Sequence, residues 1–206
     1  MKTISKEARE KCQRFKFKED TLRTLCGELI VRYVLRERFK FKDKNIKFSK
    51  NEWGKPYIKN CPIHFNISHA GDFVAYAFSD QEIGIDIEEI KDIELDIAKN
   101  FFSPCEYRVL LAQATTDRLD YFYSLWTLKE SYIKWLGAGL STPLDFFCFS
   151  ITDDGISCID DNRKDVPFFK QFLIDGYKLS VCSMIRDFPD KIEWISIEEM
   201  ELLNNK

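Results

Sequence analysis

The sequence predicts an α+β fold built on small antiparallel sheets. Two long stretches carry apolar residues at helical spacing, and several short stretches alternate with the period of a strand. Their order along the chain is helix, strands, helix, strands, without the regular βαβ alternation that a parallel sheet requires. The 206 residues make one large domain or two small ones at about 150 residues per domain. Nothing rich in Pro, Gly or Ser separates the halves and no residue-level repeat is visible, so two halves would be packed together rather than tethered.

The first long helix is predicted from Lys18 to Arg38, where Leu22, Leu25, Leu29, Val31 and Val34 follow a spacing of three to four. Trp53-Gly54-Lys55-Pro56 then reads as a turn, because a proline biases the residue before it away from helix. From His64 to Ser79 two strands are expected around the turn Ala70-Gly71-Asp72. Ile83 to Ile90 is the sharpest strand pattern: Ile83, Ile85 and Ile87 lie on one face, and Gly84, Asp86 and Glu88 on the other. Ser103-Pro104-Cys105-Glu106 has the form of a capping box with proline at the first helical position. A second long helix is expected from Asp117 to Leu136, stopped by Gly137. Strands follow at Phe146–Ile151, Gly155–Ile159, Phe168–Ile174 and Lys178–Ile185, with a short helix at Ser196–Leu203.

With 45% hydrophobic and 15% aromatic residues, but only 8 Gly and 6 Pro, the composition excludes disordered and collagenous classes. No apolar run approaches a membrane span and Met1–Glu7 has charge where a signal peptide would be apolar, so a cytoplasmic protein is expected. Seven cysteines at scattered positions, none in a Cys-x-x-Cys pair, read as buried free thiols in a reducing compartment. With two histidines, a metal would be bound by oxygen, which favours magnesium over zinc. Residues 1–50 hold 16 basic and 7 acidic side chains, and the remainder 15 and 27. That asymmetry fits one region handling an anion and another a cation, or a solvated basic helix face. Nucleic acid is disfavoured, since the basic residues form no aromatic-interleaved patch.

Two constellations stand out. Asp86 and Glu88 share a strand face, close enough for one divalent ion, or else they form a charged strand edge that blocks pairing. Gly84 on the same face would let a bulky ligand approach the backbone. Trp126, Glu130 and Lys134 are spaced by four on one helix face, either in a cleft or as a surface pair. Ser68 and His69 point to opposite faces of a strand, which argues against a nucleophile–base dyad. Small polar residues at this strand end can bind an anion. Gly137-Ala138-Gly139 reads as a helix stop rather than a phosphate loop.

The set Gly54-Lys55-Pro56, Asn66-Ile67-Ser68-His69, Ile83-Gly84-Ile85-Asp86-Ile87-Glu88, Phe101-Phe102-Ser103 and Trp126-Thr127-Leu128-Lys129-Glu130-Ser131-Tyr132-Ile133-Lys134 closely resembles the 4′-phosphopantetheinyl transferases, in particular the surfactin-synthetase-activating type. The resemblance implies two pseudo-symmetric α+β halves, 1–95 and 96–206, each a small antiparallel sheet packed on a long helix, with the active site in the cleft between them. It implies transfer of 4′-phosphopantetheine from coenzyme A to a serine of an acyl or peptidyl carrier protein, releasing adenosine 3′,5′-bisphosphate. Asp86, Glu88 and Glu130 would hold Mg²⁺. Glu130 would also assist deprotonation of the serine, and Lys134 would stabilise phosphate charge. Lys11, Thr24, Lys55, Ser68 and His69 would bind coenzyme A. Two departures from the family pattern are expected to matter: a first strand usual in the family precedes no residue here, so that sheet would lack an edge or have it supplied otherwise, and Ala8 replaces a frequent basic residue, which would weaken coenzyme A binding. A metal-dependent phosphohydrolase and a non-catalytic binding module are the alternatives.

Overall fold

The computed structural model describes residues 4–14 and 16–202. A short helix α1 (Lys6–Cys12) leads into the long α2 (Lys18–Glu37). Four strands follow as two hairpins, β1 (Phe48–Lys50) with β2 (Pro56–Ile58) and β3 (His64–Ala70) with β4 (Phe73–Ser79), and then β5 (Ile83–Glu89). Helices α3 (Ala98–Phe101), α4 (Pro104–Ala112) and α5 (Arg118–Leu136) come next. The hairpins β6 (Cys148–Thr152)–β7 (Gly155–Ile159) and β8 (Phe168–Ile174)–β9 (Tyr177–Ser183) and the short helix α6 (Ile197–Leu202) complete the chain. Every pairing is antiparallel, and the fold is the expected α+β.

Local chemistry accounts for the element ends. Ser103 caps α4 with a full capping box, its Oγ accepting from Glu106 N–H at 3.4 Å while Glu106 Oε2 accepts from Ser103 N–H at 2.8 Å. Gly137 stops α5 in the left-handed region at φ 67°. Helices α1 and α3 were not expected from the sequence; at seven and four residues they are too short to show an apolar period.

Helix α2 buries Ile30, Val31, Val34 and Leu35 against Phe65 of β3 and Met200 of α6, whereas Leu22, counted in its apolar pattern, is exposed. Helix α5 buries Phe122, Leu125, Leu128, Tyr132 and Ile133 against Phe102, Phe147 and Phe149. Strand β5 joins the two assemblies. It pairs with β9 from Ile83 opposite Ser183 to Glu89 opposite Tyr177, in the three-stranded order β5-β9-β8. On its other side, Asn66 Oδ1 of β3 accepts from Ile85 N–H at 3.1 Å. The isoleucine face of β5 lines a cavity of about 550 Å³ shared with Phe73, Phe172 and Val181.

Gly84 requires a correction. Its polar-face position does not admit a ligand: a Cβ there would lie 2.0 Å from Ser131 O and 2.6 Å from Trp135 N of α5. The glycine is needed so that the helix can lie directly on the strand. The cysteine reading is corrected as well. Cys158 and Cys182 are buried, but Cys105 is exposed and the other four are partly buried.

Candidate active site

The contact between β5 and α5 brings the two sequence constellations together. Strand alternation turns Asp86 and Glu88 toward the helix, and the four-residue spacing of Trp126, Glu130 and Lys134 turns them toward the strand. Lys134 Nζ lies 2.6 Å from Asp86 Oδ1 and donates to Ser68 Oγ at 2.8 Å, and Ser68 Oγ lies 2.9 Å from the same Asp86 oxygen. Asp86 is 2% exposed, and its other oxygen, Oδ2, is buried with no hydrogen-bond partner.

The three carboxyl groups sense one another. Burial raises Asp86 above the usual carboxylate range, against the opposing pull of Lys134 and Ser68. Glu88 is pushed up to about 7 by burial and by the charge of Asp86, with Glu130 adding to the rise and Lys134 and a Trp126 hydrogen bond opposing it. Glu130 is raised by burial and by Asp86, again against Lys134. One ammonium is therefore shared among three clustered acids.

Among the described residues, no three histidine, cysteine, aspartate or glutamate side chains are arranged so as to hold a metal ion. The expected set Asp86, Glu88 and Glu130 is adjacent but not preassembled, because Lys134 holds Asp86 Oδ1. The donor chemistry nonetheless fits a hard divalent cation. All the donors are oxygens, Asp86 Oδ2 is buried without a partner, and a cation would offset the repulsion that raises Glu88. A surface pocket of about 760 Å³ lies elsewhere, beyond the end of α5, lined by Trp135, Thr142, Phe146 and Arg163 and by none of the three carboxylates.

Comparison with known proteins identifies the family. Residues 82–182 match the family described as the 4′-phosphopantetheinyl transferase superfamily, and residues 1–81 match the 4′-phosphopantetheinyl transferase N-terminal family. The 4′-phosphopantetheinyl transferase Sfp of Bacillus subtilis is 48% identical over 97% of this chain and 91% of its own length. The chain belongs to the 4′-phosphopantetheinyl transferases. Two more relatives bear similar names: the 4′-phosphopantetheinyl transferase psf-1 of Bacillus pumilus, 37% identical over 98% of this chain and 88% of its own, and gsp of Aneurinibacillus migulanus, 38% identical over 88% and 76%.

The remaining residues of this transferase that were assigned to coenzyme A are spread more widely. Ser68 sits with the carboxylates, and His69, its neighbour on β3, faces outward and is exposed. Thr24 is partly buried on α2, next to Arg23, whose guanidinium donates to Gly71 O at 3.0 Å in the β3–β4 turn. The side chain of Lys11 lies outside the described residues. Lys55 is engaged within the fold: its Nζ lies 2.6 Å from Glu82 Oε2 and 3.3 Å from both Ile83 O and Trp135 O. Two contacts escaped the sequence reading. Asn66 ties β3 to β5, and Ser68 joins Asp86 to Lys134; both lie in the Asn66-Ile67-Ser68-His69 motif, whose spacing says nothing about partners 18 and 66 residues away.

Proposed function

We propose that this transferase moves 4′-phosphopantetheine from coenzyme A to a carrier-protein serine in the cytoplasm, using magnesium held by Asp86, Glu88 and Glu130. The observation that supports this most is the meeting of those acids with Lys134 on the contact between β5 and α5. Phosphoryl transfer asks little covalent chemistry of a protein and much positioning and charge neutralisation. Magnesium, when bound, would supply positive charge to the pyrophosphate. Glu130, raised by burial and by Asp86, is a stronger base than an ordinary glutamate and takes the proton of the carrier serine. Lys134 Nζ, 2.6 Å from Asp86 Oδ1, compensates charge on the departing phosphate. Thr24 of α2 and Ser68 and His69 of β3 bind the nucleotide and phosphate end, with Lys11 and Lys55 as further cations. The halves 1–95 and 96–206 then supply opposite walls of one cleft.

The test is carrier loading followed by intact mass. Apo carrier incubated with coenzyme A, magnesium and this protein gains one phosphopantetheine arm, chelation abolishes the gain, and magnesium restores it. A carrier left unmodified by the wild type in magnesium overturns the reading. Phosphate release without any carrier would instead make the protein a phosphohydrolase.

A further inference from the structure

The seven cysteines, scattered in sequence, include one pair that the fold brings into contact. Cys105 Sγ and Cys148 Sγ lie 2.7 Å apart across 43 residues. We propose that Cys105 and Cys148 are a disulfide-forming site that staples the first turn of α4 to the start of β6.

The approach is imposed by the buried structure beneath it. Glu106, the residue after Cys105, accepts from Phe149 N–H, the residue after Cys148, through Oε1 at 2.8 Å. Its Oε2 closes the α4 capping box and lies 2.8 Å from Lys129 Nζ, in a pair whose side chains are both fully buried. Lys129 Nζ in turn donates to Phe147 O at 2.9 Å. The backbone on both sides of Cys148 is thus fixed to the same ion pair that fixes the backbone beside Cys105. An unpaired charge at that depth is costly, so this arrangement resists rearrangement. Cys182, by contrast, is buried and directed at Ser131 O, and Cys12 at Thr21 O.

Exposure sets the order of events. Cys105 is open to an oxidant in solution, whereas Cys148 is partly buried, its thiol pushed up to about 11 by burial and by Cys105. With a disulfide such as oxidised glutathione, the sulfur of Cys105 attacks one glutathione sulfur and the first glutathione leaves as a thiol. Cys148 then attacks the Cys105 sulfur, the protein S–S bond forms, and the second glutathione leaves. The two protein thiol protons end on the two glutathiones, and one disulfide has been exchanged for another. The loop so closed contains all of α5, the helix that carries Glu130 and Lys134.

The experiment uses the full chain, reduced, freed of reductant and then exposed to oxidised glutathione. Thiols counted after denaturation should fall by two. Non-reducing digestion should join the peptide of Cys105 to that of Cys148, with no glutathione retained. The thermal midpoint should rise by roughly 5 °C or more, as expected when a long loop is closed, and return on reduction. Cys105→Ser, at an exposed position that tolerates it, should remove both the link and the shift, while Cys12→Ser should keep them. A stable glutathione adduct on Cys105 without the link, an unchanged thiol count, or a link that survives in Cys105→Ser would overturn the proposal. Peptide mapping of the wild type decides the question independently of any variant.

Discussion

Glu88 has its carboxyl pushed up to about 7 from its ordinary 4.5 by burial and the neighbouring charge of Asp86. Between those two values the folded protein keeps a proton that the unfolded chain has released. The stabilising contribution of Glu88 is therefore complete below about 4.5 and is lost as pH rises through about 7. In chelator, the thermal midpoint of the wild type should fall across that window relative to Glu88→Gln, and magnesium, which favours the ionised form, should restore it at the upper end. Parallel curves for the two proteins, measured by thermal melts at a series of pH values, would remove the electrostatic account. Asp86 offers a sharper test of the chemistry. Asp86→Asn should lower carrier loading by about 100-fold or more with far-ultraviolet circular dichroism unchanged, since the amide keeps the size of the side chain and a hydrogen-bond acceptor for Ser68. At this scale the sequence was informative wherever periodicity carries the information: the shared faces of Asp86 with Glu88 and of Glu130 with Lys134 follow from strand and helix geometry. The engagement of Lys55 by Glu82 and Trp135 O was not legible, because it depends on how a turn docks on a helix end.

The contact of β5 with α5 depends on one missing side chain. Gly84 lies so close to the helix backbone that a methyl group would sit 2.0 Å from Ser131 O, and backbone cannot swing aside as a flexible side chain can. Gly84→Ala should therefore destabilise by about 3 kcal/mol, the upper range for overpacking a tight core, measured by urea denaturation. Activity should fall further than stability explains, because lifting α5 carries Glu130 and Lys134 away from Asp86. An alanine variant of wild-type stability would show that the helix can shift freely. Element ends with explicit chemistry, such as the Ser103–Glu106 box and the Gly137 stop, were readable in advance. The opposite function first assigned to Gly84 shows the boundary of such reading. A glycine on a polar face signals close approach, but the sequence does not say whether a ligand or a helix approaches.

Residues 1–95 and 96–206, the two halves proposed above, meet at β5 and at the end of α5. Strand β5 belongs by sequence to residues 1–95, yet its main chain is paired along its whole length with β9 of residues 96–206. Ile83, Ile85 and Ile87 are buried in one apolar cluster with Ala75 of β4 and with Leu179 and Val181 of β9, and hydrogen bonds and charge add to that coupling. Asn51 Nδ2 donates to Gly137 O at 2.8 Å and Lys55 Nζ to Trp135 O at 3.3 Å, so residues of the first half satisfy carbonyls at the C-terminus of α5. Opening either half would leave those carbonyls, the β9 ladder and the buried Asp86 without partners, each at a cost in free energy. Local opening of one half should thus be nearly as costly as global unfolding. Urea titrations followed by far-ultraviolet circular dichroism, which weighs both halves, and by tryptophan fluorescence, to which Trp126 and Trp135 of α5 contribute, should give coincident single transitions. Gly84→Ala should move both curves together. Separated transitions, or a variant in which only the fluorescence curve moves, would mean that the halves fold as independent units and that β5 merely rests against its neighbours.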